Sequence, residues 1–203
     1  MGSIPERLHL DPSVAVEPSN IKSAAELCAK IGTIGASLSP DDNESRLELL
    51  RQARSLVQAL ETPRETMVKH LWAQPGVGFA IAAGVESGLF KYMVANPGPR
   101  KVKELASALG FYPDVLARLM RHLGSNGYLK EVGKDEYEPT NFAKALSLPT
   151  VGDGYSCVVG GVWPTFCNFP KYLRKYDSRI SEDPRQGPLQ DVIGADGSFF
   201  QHI

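Results

Sequence analysis

The sequence predicts a mainly α-helical protein that has helical arms, a winged helix with one small β-hairpin, and no complete Rossmann (α/β) domain. Apolar residues recur at steps of three and four over long stretches. Between residues 96 and 150 the order of predicted elements is helix, turn, helix and hairpin. The chain after residue 150 is too short for an α/β sheet.

The N-terminal part is predicted to contain a disordered leader and three helices. Residues 1–18 hold several prolines and scattered charges, which is typical of a disordered leader. Helices are predicted over 21–38, 42–60 and 63–72, and the first two each have one apolar stripe. Amphipathic arms of this kind pack on another surface, and a second copy of the chain is the simplest candidate.

The segment from Val77 to Val94 is apolar on nearly all sides and is predicted to be one helix. Together with the arms it defines a helical dimerisation region over residues 19–95. One small domain offers limited surface on which to bury all these helices. We therefore expect a homodimer, with Ile31 and Leu50 in its interface.

Residues 96–150 are predicted to form the winged helix. The pattern indicates a break at 96–99, a short helix over 101–109 and a second helix over 113–124. Two antiparallel strands follow, over 128–132 and 136–138, and then a final helical turn or two over 142–148.

DNA binding is the function most often associated with a winged helix. The second helix of the motif offers Arg118, Arg121 and His122 on a face expected to be exposed. However, eight basic residues stand against six acidic ones between residues 100 and 144, and the whole chain has 22 basic and 23 acidic residues. This charge balance argues against nucleic acid as a partner.

Residues 151–203 are predicted to contain a loose glycine-rich segment, an aromatic helix and a polar tail. The helix runs from Trp163 to Tyr176, with an interruption at Pro170. Its aromatic residues recur at steps of three and are predicted to share one face; they are Trp163, Phe166, Phe169 and Tyr172. Such a face is either core packing or the wall of an apolar pocket for a planar ligand.

No catalytic or metal-binding constellation is visible. The three cysteines lack CxxC spacing, which favours free thiols in a reducing compartment. The four histidines lack metal-ligand spacing; they are His9, His70, His122 and His202. Gly76-Val77-Gly78 and Gly152-Asp153-Gly154 follow no predicted strand, so turns or helix packing are expected there and not a nucleotide site. We expect no membrane association and a cytoplasmic location.

The order of these features resembles the fungal and plant-type O-methyltransferases that modify polyketides and phenolics. The similarity covers most of the chain after about Ile21. It rests on a set of short runs: Gly84-Val85-Glu86-Ser87-Gly88-Leu89-Phe90, Lys103-Glu104-Leu105-Ala106, Leu116-Ala117-Arg118-Leu119-Met120-Arg121-His122-Leu123, Gly127-Tyr128-Leu129, Asn141-Phe142-Ala143-Lys144-Ala145-Leu146 and Phe169-Pro170-Lys171-Tyr172-Leu173.

The resemblance implies a front region that dimerises, contributes to a substrate pocket and does not conventionally read DNA. It implies pocket-wall roles for Trp163, Phe166 and Phe169, and a small aromatic or polyketide ligand. In the family, S-adenosylmethionine binds in a following Rossmann-like domain at a glycine-rich loop, with a histidine base beyond it.

This sequence ends near Phe199-Phe200, where the family continues into that domain. We therefore expect no catalytic residue, no metal and no cofactor in this chain, and no methyl transfer by it alone. Two explanations stay open. One is a truncated O-methyltransferase of secondary metabolism, and the other is a non-catalytic accessory or regulatory module of a biosynthetic gene cluster, with DNA association as one form of it.

Overall fold

The computed structural model describes residues 10–194. The first nine residues of the predicted leader, His9, His202 and the Phe199-Phe200 end lie outside the described residues. The chain divides into two compact units, Met1–Ala73 and Gln74–Ile203. As predicted, the described part is mainly helical and has one small antiparallel sheet.

The described part of the first unit is helical throughout. Its elements are two 3-10 turns, Pro12–Ala15 and Ile21–Ser23, the helices α1 (Ala24–Ala36), α2 (Asn43–Leu60) and α3 (Pro63–Val68), and a π-helical turn, Lys69–Ala73. Asp42 caps α2 by accepting the Ser45 N–H at 2.9 Å. Thr62 and Glu65 form a capping box on α3. These local signals fix where the helices begin.

The first unit has almost no buried core among its described residues. Helix α1 packs against α2, yet only Gln52 and Ala59 are buried there. Large apolar side chains are instead exposed along the whole unit: Leu10, Val14, Val16, Ile21, Leu38, Leu47, Leu50, Val57, Leu60, Met67, Val68, Leu71 and Trp72. The arms therefore keep the apolar stripes that the sequence predicts, and most of these stripes face water.

The described part of the second unit contains the remaining helices and three strands. In chain order they are α4 (Gln74–Glu86), α5 (Leu89–Ala95), β1 (Arg100–Lys101), α6 (Val102–Leu109), α7 (Pro113–Ser125), β2 (Leu129–Gly133), β3 (Glu136–Pro139), α8 (Asn141–Ala145), α9 (Pro149–Cys157), a π-helical turn (Val158–Val162), α10 (Trp163–Lys175), a 3-10 turn (Pro184–Gln186) and α11 (Gln190–Ile193).

One hydrophobic core joins α4 and α5 to the helix pair α6–α7 and to the sheet. Its most buried members include Ile81, Phe90, Leu105, Met120 and Tyr137. The single helix predicted over Val77–Val94 is wrong in one respect, because the chain breaks after Glu86 and Gly88 adopts φ 75°. A left-handed backbone favours glycine, so Gly88 separates α4 from α5.

The sheet is antiparallel, with the strand order β1-β3-β2. The predicted hairpin is present, with Glu131 opposite Tyr137 and a register irregularity between Glu131 and Gly133. Strand β1, which pairs Arg100 with Tyr137, was not predicted. Two residues are too few to show an alternating pattern.

The region after Pro149 is more helical than predicted. The glycine-rich segment forms α9 and a π-helical turn instead of a loose loop. Gly152 packs so closely there that a Cβ would lie 2.5 Å from the Leu146 carbonyl oxygen. Pro170 lies inside α10 and does not interrupt it. Tertiary packing thus overrides the weak helix propensity of these residues.

Tyr172 connects α10 to the segment that follows it. Its side chain is fully buried. Its hydroxyl accepts the Ser181 N–H at 3.0 Å and donates to the Gln186 carbonyl at 2.9 Å. Asp191 on α11 accepts hydrogen bonds from Asn168 at 2.8 Å and from Lys175 at 2.6 Å. These contacts hold the segment from Ser181 to α11 against α10.

Within residues 10–194, no single helix is long and apolar enough to cross a membrane. The helical stretches Pro63–Glu86 and Leu89–Ala95 reach the length and apolar composition of a membrane span only when they are counted together, and they meet at a bend of 61°. Much of α4 and α5 is buried in the core of the second unit.

We expect Tyr172→Phe to destabilise the protein by about 1–3 kcal/mol, because the Ser181 N–H and the Gln186 carbonyl both lose their buried partner. Urea denaturation followed by circular dichroism measures the change. Tyr112→Phe is the matched control, since Tyr112 is 82% exposed and should tolerate loss of its hydroxyl. Equal destabilisation by both variants would contradict the role assigned to the Tyr172 hydroxyl.

The Asp191 contacts should weaken in acid. The Lys175 ammonium, and then the Asn168 amide, lower the pKa of the Asp191 carboxyl below its ordinary value. Such a group stabilises the fold above its unfolded pKa of about 3.9, and this stabilisation disappears as the pH falls through the lower folded value. Amide exchange in α11 should therefore be slower in the wild type than in Asp191→Asn at neutral pH. The difference should shrink below about pH 4. A difference that stays constant through this range would contradict the prediction.

Candidate ligand site and association surface

The aromatic residues of α10 do not share one face, contrary to the prediction. Tyr172 is fully buried, Trp163 and Phe169 are partly buried, and Phe166 is 63% exposed. Steps of three residues fall short of a full helical turn, so each aromatic is displaced by about 60° from the one before. Tyr172 therefore points into the fold, and Phe166 lies on the solvent side of α10.

Trp163 packs directly on the backbone of α4. Its six-membered ring lies against Gly78, where a Cβ would come within 2.8 Å of Cζ2. Gly78 is itself buried. Any larger residue at this position would displace the indole. The Gly76-Val77-Gly78 run is thus a helix-packing motif, one of the two readings that the sequence left open.

Phe79 forms an aromatic pair with Trp163. The two ring centroids are 4.8 Å apart and the rings meet at 81°, an edge-to-face arrangement. Phe79 remains 54% exposed in spite of this contact. Phe79 was not predicted to be a site residue. The only signal for it was its position directly after the glycine pair.

The Trp163 indole N–H is available as a hydrogen-bond donor. Among the described residues it has no hydrogen-bond partner, and it is not fully enclosed. An indole N–H that is not fully enclosed, with the Phe79 ring beside the indole, suits a planar ligand that bears a hydroxyl or carbonyl oxygen. The surface around Trp163 therefore combines apolar contact with one polar group.

The face expected to read DNA is arranged for packing and for balanced charge. His122 is not on an exposed face as predicted, because its Nε2 is buried and would lie 2.7 Å from a Cβ placed on Gly76. Arg121 approaches Asp135 at 3.6 Å. A groove of about 460 Å³ lies between α6, α7 and the turn that joins β2 to β3, and it is lined by three lysines and three carboxylates. Such a groove has no excess of positive charge to attract phosphates.

The predicted interface residues lie in different environments on the first unit. Ile31 is partly buried, whereas Leu50 is 38% exposed. Leu50 lies on a stripe along α2 whose other large members are Leu47, Val57 and Leu60, all exposed. Their spacings of three, seven and three residues match the seam of a helix that packs on another helix. The stripe is separate from the α2 residues that are buried, Gln52 and Ala59.

The α1–α2 hairpin has a polar face as well. Arg51 and Gln52 donate hydrogen bonds to Glu48 at 2.6 and 2.7 Å. These bonds, with that from Arg51 the larger cause, lower the pKa of the Glu48 carboxyl to about 2. The charged face therefore stays ionised across the physiological pH range. Only the leucine and valine stripe is suited to burial against another helix.

No group of His, Cys, Asp or Glu side chains in residues 10–194 could hold a metal ion. Cys28, Cys157 and Cys167 are all free thiols. His70 is exposed in the π-helical turn of the first unit. Neither the described histidines nor the cysteines come together as a reactive site.

The chain has sequence relatives among the fungal methyltransferases, although no protein-family model matches it. It is 26% identical over 177 residues to the O-methyltransferase mfmE of Annulohypoxylon moriforme, which covers 87% of this chain and 44% of the relative. It is 27% identical over 181 residues to the O-methyltransferase lepI of Aspergillus flavus, covering 88% and 46%. The chain thus spans about half the length of the curated relatives it matches.

Solved structures share the fold. A structure of LepI in complex with SAH and a substrate analogue superposes with a TM-score of 0.74 at 25% identity, over 87% of this chain and 46% of that one. OxaC in complex with SAH and oxaline gives 0.75 at 19% identity, over 89% and 46%. In sequence and fold, this chain is similar to the N-terminal helical part of fungal O-methyltransferases.

Proposed function

We propose that this chain is the self-associating, ligand-contacting part of an O-methyltransferase of fungal secondary metabolism. The proposal rests on one observation: sequence similarity and shared fold extend over nearly nine-tenths of the chain but less than half of each relative. In this helical part, the chain exposes the aromatic ring of Phe166 on α10 and an apolar stripe on α2.

The ligand that best fits the exposed aromatic surface is a planar, oxygen-bearing small molecule. The structural relatives support a small-molecule ligand, since OxaC has been solved with oxaline and with meleagrin, and LepI with a substrate analogue. We assign wall positions to Trp163, Phe166 and Phe169. Together they offer two partly buried aromatic rings, one exposed ring and the Trp163 N–H.

S-adenosylmethionine is the cofactor of the whole enzyme in this proposal, and its binding requires more than the described residues. A Rossmann-like site is built from a parallel strand, a glycine-rich loop and a helix that begins at the loop. The sheet within residues 10–194 has three short antiparallel strands. The chain by itself therefore contacts the methyl acceptor and not the methyl donor.

We place the protein in the cytoplasm, a reducing compartment in which three free cysteines persist.

A second copy of the chain is the proposed partner of the first unit. Burying one leucine-sized side chain is worth about 1.5–3 kcal/mol, so several from each copy outweigh the entropy cost of association. Leu50, Val57 and Leu60 supply such a set along a single helix. The resemblance to a dimeric family supports the same arrangement.

We expect isothermal titration calorimetry to detect no binding of S-adenosylmethionine to the purified 203-residue chain. The reason is the missing strand–glycine loop–helix unit in the described residues. OxaC, which has been solved with SAH and with sinefungin, is the positive control under the same conditions. A one-to-one complex of micromolar affinity would contradict the division of roles proposed here.

We expect sedimentation velocity to show a dimer at micromolar concentration for the unmodified chain. Leu50→Asp should give monomer or aggregate, because it places a charge on the apolar stripe of α2. Tyr112→Asp is the control, since it adds the same charge at a residue of the second unit that is 82% exposed. Leu50→Asp tests the interface better than Ile31→Asp, because Ile31 is partly buried. A well-folded monomer of the unmodified chain would contradict the proposal.

A further inference from the structure

The ligand site assigned above lies on α10, but the aromatic surface continues onto a second element of the same unit. Phe79 belongs to α4, and its ring meets that of Trp163 at 4.8 Å and 81°. The edge-to-face contact covers only part of Phe79, which stays 54% exposed. A large apolar ring held beside an indole and still open to solvent is available for contact with a ligand.

Gly78 sets the position of the Trp163 indole, because the absence of a side chain there leaves room for the ring. The six-membered ring of Trp163 fills the space that a side chain at residue 78 would occupy. Glycine weakens a helix interior relative to alanine. The close approach of the indole is the reason for glycine at this point of α4.

We propose that Phe79 is a further ligand-contacting residue and that Gly78 is the residue that positions Trp163 beside it. The occupant is one small aromatic molecule that bears a hydroxyl or carbonyl oxygen. Its ring stacks in the corner between Phe79 and Trp163, and its oxygen accepts the Trp163 N–H. This inference rests on the proposed function, because it assumes that α10 contacts a ligand.

The corner explains why an aromatic ligand is favoured over a saturated one. Ring pairs in edge-to-face or offset geometry gain stability beyond the apolar area that they bury. A saturated molecule of the same size would gain the burial term alone. Selectivity for aromatic over saturated ligands should therefore depend on Phe79 as well as on Trp163.

The test is isothermal titration calorimetry of the full chain in a Trp72→Phe background, in which Trp163 is the one tryptophan and its emission can be followed separately. The probe is 2-naphthol, and decahydro-2-naphthol is its saturated counterpart. We expect saturable binding of 2-naphthol, with a Kd that Phe79→Leu raises about 3- to 10-fold. Tyr112→Leu, which also removes an exposed aromatic ring, should leave the Kd unchanged.

Gly78→Ala should displace the indole, shift the Trp163 emission to longer wavelength and weaken 2-naphthol binding. Gly154→Ala is the matched control, since Gly154 is also a helical glycine and a Cβ there would meet nothing within 4 Å. Circular dichroism establishes that each variant is folded, and Phe79→Leu tests the corner if Gly78→Ala does not fold.

The outcomes separate this inference from the proposed function. If the parent protein shows no saturable binding of 2-naphthol, the ligand-contacting role of α10 fails and this inference fails with it. If the parent binds and Trp163→Leu abolishes binding, while Phe79→Leu and folded Gly78→Ala bind as the parent does, the proposed function survives and this inference is overturned. Weaker binding in Phe79→Leu, with aromatic selectivity reduced toward decahydro-2-naphthol, supports it.

Discussion

The second unit depends on how closely its side chains approach the backbone of α4. A Cβ at Gly76 would lie 2.7 Å from His122 Nε2, and one at Gly84 would lie 2.6 Å from Phe90 Cε2. Trp163 occupies the space beside Gly78 in the same way. Each glycine costs helix stability, so α4 is stabilised by the helices packed around it and not by its own propensity. In return, α5, α7 and α10 all take their positions from one central helix.

The first unit differs from the second: local capping signals define its helices, but most of its large apolar side chains stay exposed. Asp42, Thr62 and Glu65 fix the starts of α2 and α3 through capping bonds. The apolar side chains on these helices remain at the surface, while the Glu48 hydrogen-bond network keeps a separate face polar. A helix hairpin with one ionised face and one apolar stripe gains stability only when another surface covers the stripe.

The sequence predicted those elements whose signal is periodic or local. Helix α2 was expected over 42–60 and is found over Asn43–Leu60, and the hairpin strands lie within a residue or two of their expected positions. It failed where tertiary contacts decide. The all-round apolar segment had no period from which to locate the break at Gly88, and nothing local in the glycine-rich segment indicated that Gly152 of α9 packs against Leu146. Strand β1 exists only through its pairing with β3.

For the same reason, the sequence predicted only part of the candidate site. Trp163, Phe166 and Phe169 stood out because they are adjacent along one helix, whereas Phe79 joins them through a contact between residues 84 positions apart. Two glycines separated by one residue in a helix project about 200° apart. Such a pair therefore admits close neighbours on nearly opposite sides, here His122 beside Gly76 and Trp163 beside Gly78. The contact with Gly76 draws His122 inward, away from the exposed face on which it was expected to read DNA. The contact with Gly78 holds the Trp163 indole beside Phe79. One glycine motif in α4 thus removes a feature of a DNA-binding face and helps to build a surface suited to an aromatic ligand.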